Sequence, residues 1–450
     1  MTLDHGGRHG LFVLVACVLL ALAASIAHAA DMAATVHKPK ADVHQAADFD
    51  SATVATLRRG DAVAISGQQG LWFQVRLADG GSGFLRVTDV RMDYAAREGG
   101  DANVRALFTG QAGKGRVTET AGVRGLDESA LQSAAFDAGQ LAAMQANRLS
   151  PEAAAAHARA QGWDATSFAW AAEAGTGKRG GATREVKRSG LGIARGLLGS
   201  LTGGALGGAG DAALDVADAA IGKSEEEILA EELALGPELA GRILGAAPLW
   251  REPAAQQRVN LVGRWIASQT TRPELPWTFA VIDSPEVNAF AAPGGYVLVT
   301  RGMYELLASD AEVAAMLGHE ISHVVQRDHY NVIHKQQVTR AGIDVAARQV
   351  GTGNLAEQYA KDYAAKFGAK ALLAGLDRDA EFRSDQAAEV YLVRSGFNPL
   401  ALYAVLQKMT AFGTESASLA QLYRTHPPLD DRLDHMDRGG IRGLERYTTR

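Results

Sequence analysis

Cysteine is almost absent from this chain, which has 450 residues and a single cysteine, Cys17. If that residue leaves with a signal segment, the mature protein has neither disulfides nor cysteine chemistry, and its fold depends on packed cores alone. A large charge excess is lacking as well, because 45 Lys and Arg and 51 Asp and Glu give a formal net charge of only −6. This balance gives no electrostatic footprint for nucleic acid or for a membrane surface bound through bulk positive charge.

An uninterrupted apolar run occurs at the N-terminus, where LFVLVACVLLALAASIA occupies residues 11–27. A basic residue precedes the run and the small residues of Ala27-His28-Ala29 end it. This layout is typical of a secretory signal peptide over residues 1–29. Two alternatives stay open: a retained membrane anchor, since the run is about as short as a spanning helix can be, and a lipoprotein with lipid on Cys17. We expect export, with a periplasmic location.

Residues 31–95 alternate short apolar stretches with turns rich in Gly, Asp and Gln. This alternation predicts a small all-β barrel. Four features carry a resemblance to the bacterial Src-homology-3-like (SH3-like) domain: Leu57-x-x-Gly60-Asp61, Gly70-Leu71-Trp72, Asp79-Gly80 and Gly83-Phe84-Leu85. The resemblance implies a module that binds cell wall or a peptide, and a purely structural barrel is the alternative.

Residues 96–225 form a helical and Gly/Ala-rich region, with one helix predicted to start at Ser150-Pro151-Glu152. The dense glycine of residues 174–222 makes a stable helix costly, at about 1 kcal/mol per Gly relative to Ala. A linker and a membrane-seeking hairpin are the two interpretations. Arg195 and Asp211 interrupt the apolar stretch and favour the linker. A basic cluster supports the hairpin: Lys178, Arg179, Arg184, Lys187 and Arg188.

From residue 226 to residue 450 the apolar residues recur at helical spacing, with one β-like interruption at Trp277–Thr300. We therefore expect a mainly helical α+β domain. Inside it, a capping box at Ser309-Asp310-Ala311-Glu312 opens a helix that contains a His-Glu-x-x-His motif. His319 and His323 then lie one turn apart and can share one zinc ion. Glu320 stands beside them, placed to take a proton from a metal-activated water.

Two residues compete to be the third protein ligand. His329 fits the spacing of the extended motif His-Glu-x-x-His-x-x-Gly-x-x-His, but Gln326 replaces the glycine that permits a sharp turn there. Glu381 lies in a second predicted helix, over residues 377–394, and would complete a His/His/Glu site. Asp385, one turn later, can accept a hydrogen bond from the ring N–H of a ligand histidine. An ordinary solvated acidic face is the alternative for these carboxylates.

Four motifs occur in a familiar order: Asn288–Gly295 with Tyr296–Thr300 and Gly302, then His319–His323, then Arg378-x-x-Glu381-x-x-x-Asp385, then Thr425-His426-Pro427-Pro428. They resemble metallopeptidase family 48, which includes the CAAX prenyl proteases and the bacterial heat-shock membrane protease. The resemblance implies a zincin-type fold and one Zn²⁺ per chain. Its ligands would be His319, His323 and Glu381, with Glu320 as catalytic base. Asp328 departs from the family pattern, which often joins Arg directly to His.

The stretch Val297–Thr300 follows a Pro-Gly-Gly turn, and we expect an exposed edge strand along which an extended peptide pairs. A buried strand is the alternative. The candidate substrate-binding residues are Asn288, Gly294, Gly295, Val297 and Val299. His426 is expected to approach the zinc, either to stabilise the oxyanion or to block the open metal position, and a loop histidine held by its prolines is the alternative.

The sequence therefore predicts an exported zinc endopeptidase that cleaves a protein or peptide substrate in envelope quality control. The runner-up is a non-proteolytic envelope factor with a structural or capped zinc site, whose barrel binds cell wall or a partner. Cleavage of a lipid-modified peptide is a third hypothesis. The prenyl proteases that do this have many membrane spans, and this sequence has no such run after residue 29.

Overall fold

The computed structural model describes residues 31–93, 126, 128–174, 225–334, 375–413 and 416–449. The predicted signal peptide, with Cys17, and nearly all of the Gly-rich segment 174–222 lie outside the described residues. The chain divides into two compact units, Met1–Thr120 and Ala121–Arg450. In the described ranges, no helix combines the length and the apolar character needed to cross a membrane.

The first unit contains a seven-stranded antiparallel sheet in the order β3-β2-β6-β5-β4-β1-β7. Its strands are β1 (Met32–Val36), β2 (Lys40–His44), β3 (Thr53–Arg58), β4 (Ala62–Gln69), β5 (Trp72–Arg76), β6 (Ser82–Arg86) and β7 (Val90–Met92). The prediction of an all-β fold is confirmed, but the predicted barrel is not closed in the structure. Strands β3 and β7 are the two edges of the sheet. Among the described strands, β3 pairs with β2 and β7 pairs with β1, but β3 and β7 do not pair with each other, so the sheet stays open.

The second unit is mainly helical, as predicted, and its described residues include one small sheet. Its elements are α1 (Glu128–Ser133), α2 (Ala138–Ala146), α3 (Pro151–Gln161), α4 (Ala171–Ala174), α5 (Glu225–Ala246), α6 (Pro253–Ala267), β8 (Thr278–Ile282), β9 (Ala289–Ala292), β10 (Tyr296–Thr300), α7 (Arg301–Leu306), α8 (Asp310–Gln326), α9 (Arg378–Arg394), α10 (Leu400–Thr410), α11 (Leu422–Thr425) and α12 (Leu429–Arg438). Residues 328–334 are again helical. Short 3-10 turns lie at Ala417–Leu419 and Glu445–Tyr447.

Strand β10 lies at the centre of the three-stranded sheet, parallel to β8 and antiparallel to β9. All five of its residues are buried, which accounts for an apolar run without polar alternation. The expected exposed edge strand at Val297–Thr300 is therefore wrong. The edges of this sheet are β8, which has an isolated bridge to Leu249, and β9, which pairs with β10 alone among the described strands.

Helix α8 is anchored at its N-terminus by the predicted capping box. The hydroxyl of Ser309 accepts from the amide of Glu312 at 3.3 Å. Glu312 reaches back one residue further than the motif requires, to the amide of Ala308 at 2.7 Å. Its Oε2 also lies 2.7 Å from Nζ of the buried Lys408 on α10. Because α8 packs against α6, α9 and α10, this buried ion pair fixes the start of the helix in its bundle.

Helix α9 begins and ends where the sequence predicts. Asp377 accepts from the amide of Ala380 at 2.7 Å, and the chain leaves the helix at Ser395, before Gly396 with a φ of +85°. Gly318 of α8 faces Ala388 of α9, so a small residue stands where the two helices cross. This crossing brings the middle of α8 beside the first two turns of α9.

Candidate metal centre

The two histidines of α8 and the first turn of α9 meet around one point. The Nε2 atoms of His319 and His323 lie 3.2 Å apart. Glu381 presents Oε2 at 3.5 Å from Nε2 of His319 and Oε1 at 3.7 Å from Nε2 of His323. His426, which follows α11, places Nε2 at 3.8 Å from Oε2 of Glu381. The ligand atoms of these four residues all lie within 4.8 Å of one another.

This donor set fits a zinc ion in both spacing and chemistry. A tetrahedral ion with ligands at about 2.0–2.1 Å separates neighbouring donors by about 3.3 Å, close to the distances between His319, His323 and Glu381. The Glu381 side chain is fully buried, yet neither of its oxygens accepts a hydrogen bond from the described residues. A buried carboxylate without donors is costly unless it is paired or coordinates a metal.

His329 does not belong to this group. Its ring centroid lies 5.8 Å from that of His323, and the ligand group found in the described residues contains Glu381 instead. The helix continues through Gln326, and the left-handed residue is Arg327, with a φ of +61°. The chain thus turns one position after the glycine of the extended motif, and His329 is not carried round to the group of His319, His323 and Glu381.

His319 is held from behind by a carboxylate and an arginine. Its Nδ1 lies 3.0 Å from Oδ1 of Asp385, the contact that the sequence predicts. Arg432 of α12 binds both oxygens of Asp385, at 2.9 and 2.5 Å. Burial would raise the pKa of Asp385, but Arg432 and His319 lower it to about 2. Asp385 therefore stays ionised and directs Nε2 of His319 toward the ligand group.

His323 has a matching pair of partners that the sequence analysis did not identify. Its Nδ1 lies 2.9 Å from Oδ2 of Asp328 and 3.0 Å from Oγ of Ser384. Asp328 drew notice only as a departure from the family pattern. The signal that finds it is general, because a ligand histidine needs a partner for its second ring nitrogen. No comparable local signal marks Arg432.

Two of the ligand-group side chains, Glu381 and His426, are held in the form that binds a metal, whereas His319 is not. Burial alone would raise the pKa of Glu381, but His426, His319 and His323 outweigh it and hold that pKa well below its usual range. Burial lowers the pKa of His426 to about 4, so its ring is neutral near pH 7. Burial and Arg432 oppose protonation of His319, but Asp385 and Glu381 raise its pKa to about 9. Binding of a metal there must displace a proton.

A cleft opens over the ligand group. Glu320 reaches it, and burial raises the pKa of the Glu320 carboxyl. The other lining residues are Ala289, Phe290, Ala291, His329, Leu376, Glu381, Thr425 and His426. The outer edge of β9 therefore borders the cleft. The predicted substrate residues Val297 and Val299 lie instead on the buried central strand.

The glycines of the predicted substrate motif serve the turn between β9 and β10. Gly294 and Gly295 have φ values of +75° and +96°. A Cβ atom on Gly294 would lie 2.7 Å from the carbonyl oxygen of Glu232 on α5. Asn288 is buried just before β9, and its side-chain Oδ1 and Nδ2 have no hydrogen-bond partner among the described residues.

Comparison with known proteins gives the same part of the chain a family. Residues 253–439 match the model of peptidase family M48. The chain is 28% identical over 213 residues to the beta-barrel assembly-enhancing protease of Yersinia pestis. The aligned residues cover 45% of this chain and 42% of the relative. It is 27% identical to the Escherichia coli (strain K12) protein of that name, over 46% of this chain and 43% of the relative.

A third relative is protease HtpX of Xylella fastidiosa (strain 9a5c), which is 29% identical over 39% of this chain and 72% of the relative. The chain spans less than half the length of the two assembly-enhancing proteases. The family match and these protease relatives support a zinc metalloendopeptidase. The predicted resemblance to metallopeptidase family 48 is therefore confirmed over residues 253–439, which match the model of family M48.

Proposed function

We propose that this chain is a zinc-dependent endopeptidase that hydrolyses peptide bonds at the site formed by α8 and α9. One observation carries the proposal. Two imidazoles and the donor-free carboxylate of Glu381 converge at 3.2–3.7 Å, beside a cleft into which Glu320 projects. The His/His/Glu set leaves one ligand position open, as catalytic zinc sites do.

His319, His323 and Glu381 would hold one zinc ion. Zinc, when bound, supplies a Lewis acid that polarises the scissile carbonyl and lowers the pKa of the attacking water to about 7. Glu320 takes the proton from that water and delivers it to the leaving amine. The burial that raises the Glu320 pKa suits this role, because the carboxyl has to hold the proton between the two steps.

The substrate would lie along the free edge of β9. An extended peptide that pairs with this edge gains main-chain hydrogen bonds and crosses the cleft beside Glu320 and Glu381. Asn288, which precedes β9, supports this placement, since a buried amide group without partners is expensive and a substrate backbone can satisfy it. We assign the pairing edge to β9 in place of Val297 and Val299.

His426 would act on the substrate side of the site. Its Nδ1 lies 2.8 Å from Oγ1 of Thr425, and its ring lines the cleft. A neutral ring in this position can donate from Nε2 to the oxyanion that develops on the scissile carbonyl. The alternative role is to occupy the open ligand position at rest, since His426 belongs to the same ligand group.

We further propose an exported, periplasmic protein that acts in envelope protein quality control. Two relatives are named beta-barrel assembly-enhancing proteases, which supports this setting. In the proposed organisation, residues 1–29 are a signal peptide, residues 31–95 bind cell wall or a peptide, residues 96–225 connect, and residues 226–450 form the peptidase domain.

Cleavage of casein by the purified chain tests the proposal. We expect wild-type protein to cut casein, a chelator to stop the cleavage, and added zinc to restore it. Glu320→Gln should keep its zinc and lose about 10²–10⁴-fold in rate, the typical contribution of general acid–base catalysis. Cleavage at the wild-type rate by Glu320→Gln would refute the role of Glu320. If wild-type protein cuts nothing and four residues each prove essential for zinc binding, the site is structural.

A further inference from the structure

Glu232 of α5 is a fully buried carboxylate that binds two arginines. Its Oε1 and Oε2 accept from Nη1 and Nη2 of Arg272 at 2.9 and 2.7 Å. Its Oε2 also accepts from Nε of Arg327 at 3.0 Å. Helix α5 ends before residue 253, where the match to family M48 begins. The residue thus lies outside the matched domain while its side chain is buried against that domain.

Two more glutamates of α5 bind the same short stretch after the metal-binding helix. Oε2 of Glu225 lies 2.7 Å from Nη1 of Arg327. Oε2 of Glu231 accepts from the hydroxyl of Tyr330 at 2.7 Å. Helix α5 therefore holds the chain on both sides of residue 328.

Residue 328 is Asp328, the partner of His323. Its Oδ2 lies 2.9 Å from Nδ1 of His323. The amide of Arg327 donates to the carbonyl oxygens of His323 and Val324, and Nη1 of Arg272 donates to that of Val324 at 3.1 Å. Both arginines bound by Glu232 therefore contact the last turn of α8, where His323 lies.

The backbone at Arg327, just past the end of α8, adopts a conformation that bulky side chains rarely take. Arg327 is the one non-glycine residue with a positive φ in the described ranges, and a bulky residue in that conformation needs surrounding contacts to keep it. We propose that Glu232 is a positioning residue for the metal ligand His323, acting through Arg327, Arg272 and the placement of Asp328. The inference rests on the proposed zinc site and adds an element from outside the M48 match to it.

Zinc affinity of the full chain tests this role. Glu232→Gln should weaken zinc binding about 10–100-fold, the usual effect of disturbing the outer partners of a metal ligand. Glu225→Gln is the matched control, since it removes a contact to the same Arg327 from a side chain that is 67% exposed. It should change the zinc dissociation constant less than threefold. A folded Glu232→Gln protein with wild-type zinc affinity overturns the proposal, as does an equal loss in the control.

Arg327→Gly decides the matter if Glu232→Gln does not fold. Glycine adopts the left-handed conformation without strain, and the pair of Glu232 with Arg272 stays intact. We expect a folded protein whose zinc binding is at least threefold weaker and whose Co²⁺ absorption bands shift. Wild-type affinity and spectrum overturn the proposal. Glu381→Gln is measured in parallel: if it leaves zinc binding unchanged, the proposed metal site fails, and if it alone abolishes binding, only the role of Glu232 fails.

Discussion

The Nδ1 atom of His319 lies 3.0 Å from Oδ1 of Asp385, and Arg432 binds that same carboxylate through two hydrogen bonds. Three elements, α8, α9 and α12, therefore contribute one side chain each to a single buried chain of contacts. The chain ends at the ring of His319 and leaves Nε2 as the nitrogen that faces Glu381. A carboxylate on the far ring nitrogen fixes the orientation of the ligand and raises its basicity.

We predict that Asp385→Asn weakens zinc binding about 10–100-fold. The amide keeps the shape of the side chain but removes the charge that Arg432 and His319 share. Loss of one partner of a buried ion pair also destabilises the fold, by about 3–5 kcal/mol. Chelator competition measures the affinity, and urea titration of the metal-free protein measures the stability. Asp379→Asn, on an exposed residue in the first turn of the same helix, is the control: it should leave zinc affinity unchanged and cost at most about 1 kcal/mol of stability.

The helices of the site were predictable because their signals are local. Ser309 and Asp377 each accept a hydrogen bond from the third residue that follows, and Gly396 supplies the left-handed stop. Spacing within one helix also brings Nε2 of His319 and His323 together. Short-range chemistry of this kind can be read from a few consecutive residues, and the structure confirms it.

The errors and omissions concern contacts between distant parts of the sequence. Strand β10 lies between β8 and β9 because it pairs in parallel with β8, where Tyr296 lies opposite Thr278, eighteen residues earlier in the chain. No local sequence pattern specifies that pairing. Arg432 reaches Asp385 across 47 residues. The open edges of the first sheet likewise depend on which strands pair, so alternation predicted its strands but not whether they close into a barrel.

Replacing each of two helix glycines, Gly318 and Gly236, with alanine should change the free energy of unfolding in opposite directions. A Cβ on Gly318 would meet Ala388 at 3.6 Å, an ordinary contact, whereas a Cβ on Gly236 would lie 2.1 Å from the carbonyl oxygen of Pro293. We expect Gly318→Ala to stabilise the protein by about 0.5–1 kcal/mol and Gly236→Ala to destabilise it by about 1–3 kcal/mol. Urea unfolding of both variants measures whether each is stabilised or destabilised. A stabilised Gly236→Ala would contradict the close approach of α5 to the turn between β9 and β10.

Titration of Glu389 should lower the free energy of unfolding as the pH rises. Burial, with a smaller effect from Asp385, raises its pKa to about 8, well above the value of about 4.3 in an unfolded chain. Between pH 5 and 8 the folded protein thus keeps a proton that the unfolded chain has already lost, and each step up in pH favours unfolding. Glu389→Gln removes this dependence.

The stability difference between Glu389→Gln and wild type is the quantity to measure, at pH 5 and at pH 8, on metal-free protein. We expect the variant to gain stability relative to wild type at the higher pH. A difference that is equal at both values would show that Glu389 titrates normally in the folded state.

The most direct test of the metal site compares zinc content in Glu381→Gln and His329→Gln, purified alongside wild type and assayed by atomic absorption. The geometry predicts about one zinc per chain in wild type, nearly the same in His329→Gln, and a large loss in Glu381→Gln, because the carboxylate lies within 3.7 Å of both ligand nitrogens. The reverse order, with zinc kept by Glu381→Gln and lost from His329→Gln, would contradict a His/His/Glu centre and return the third ligand to the extended motif.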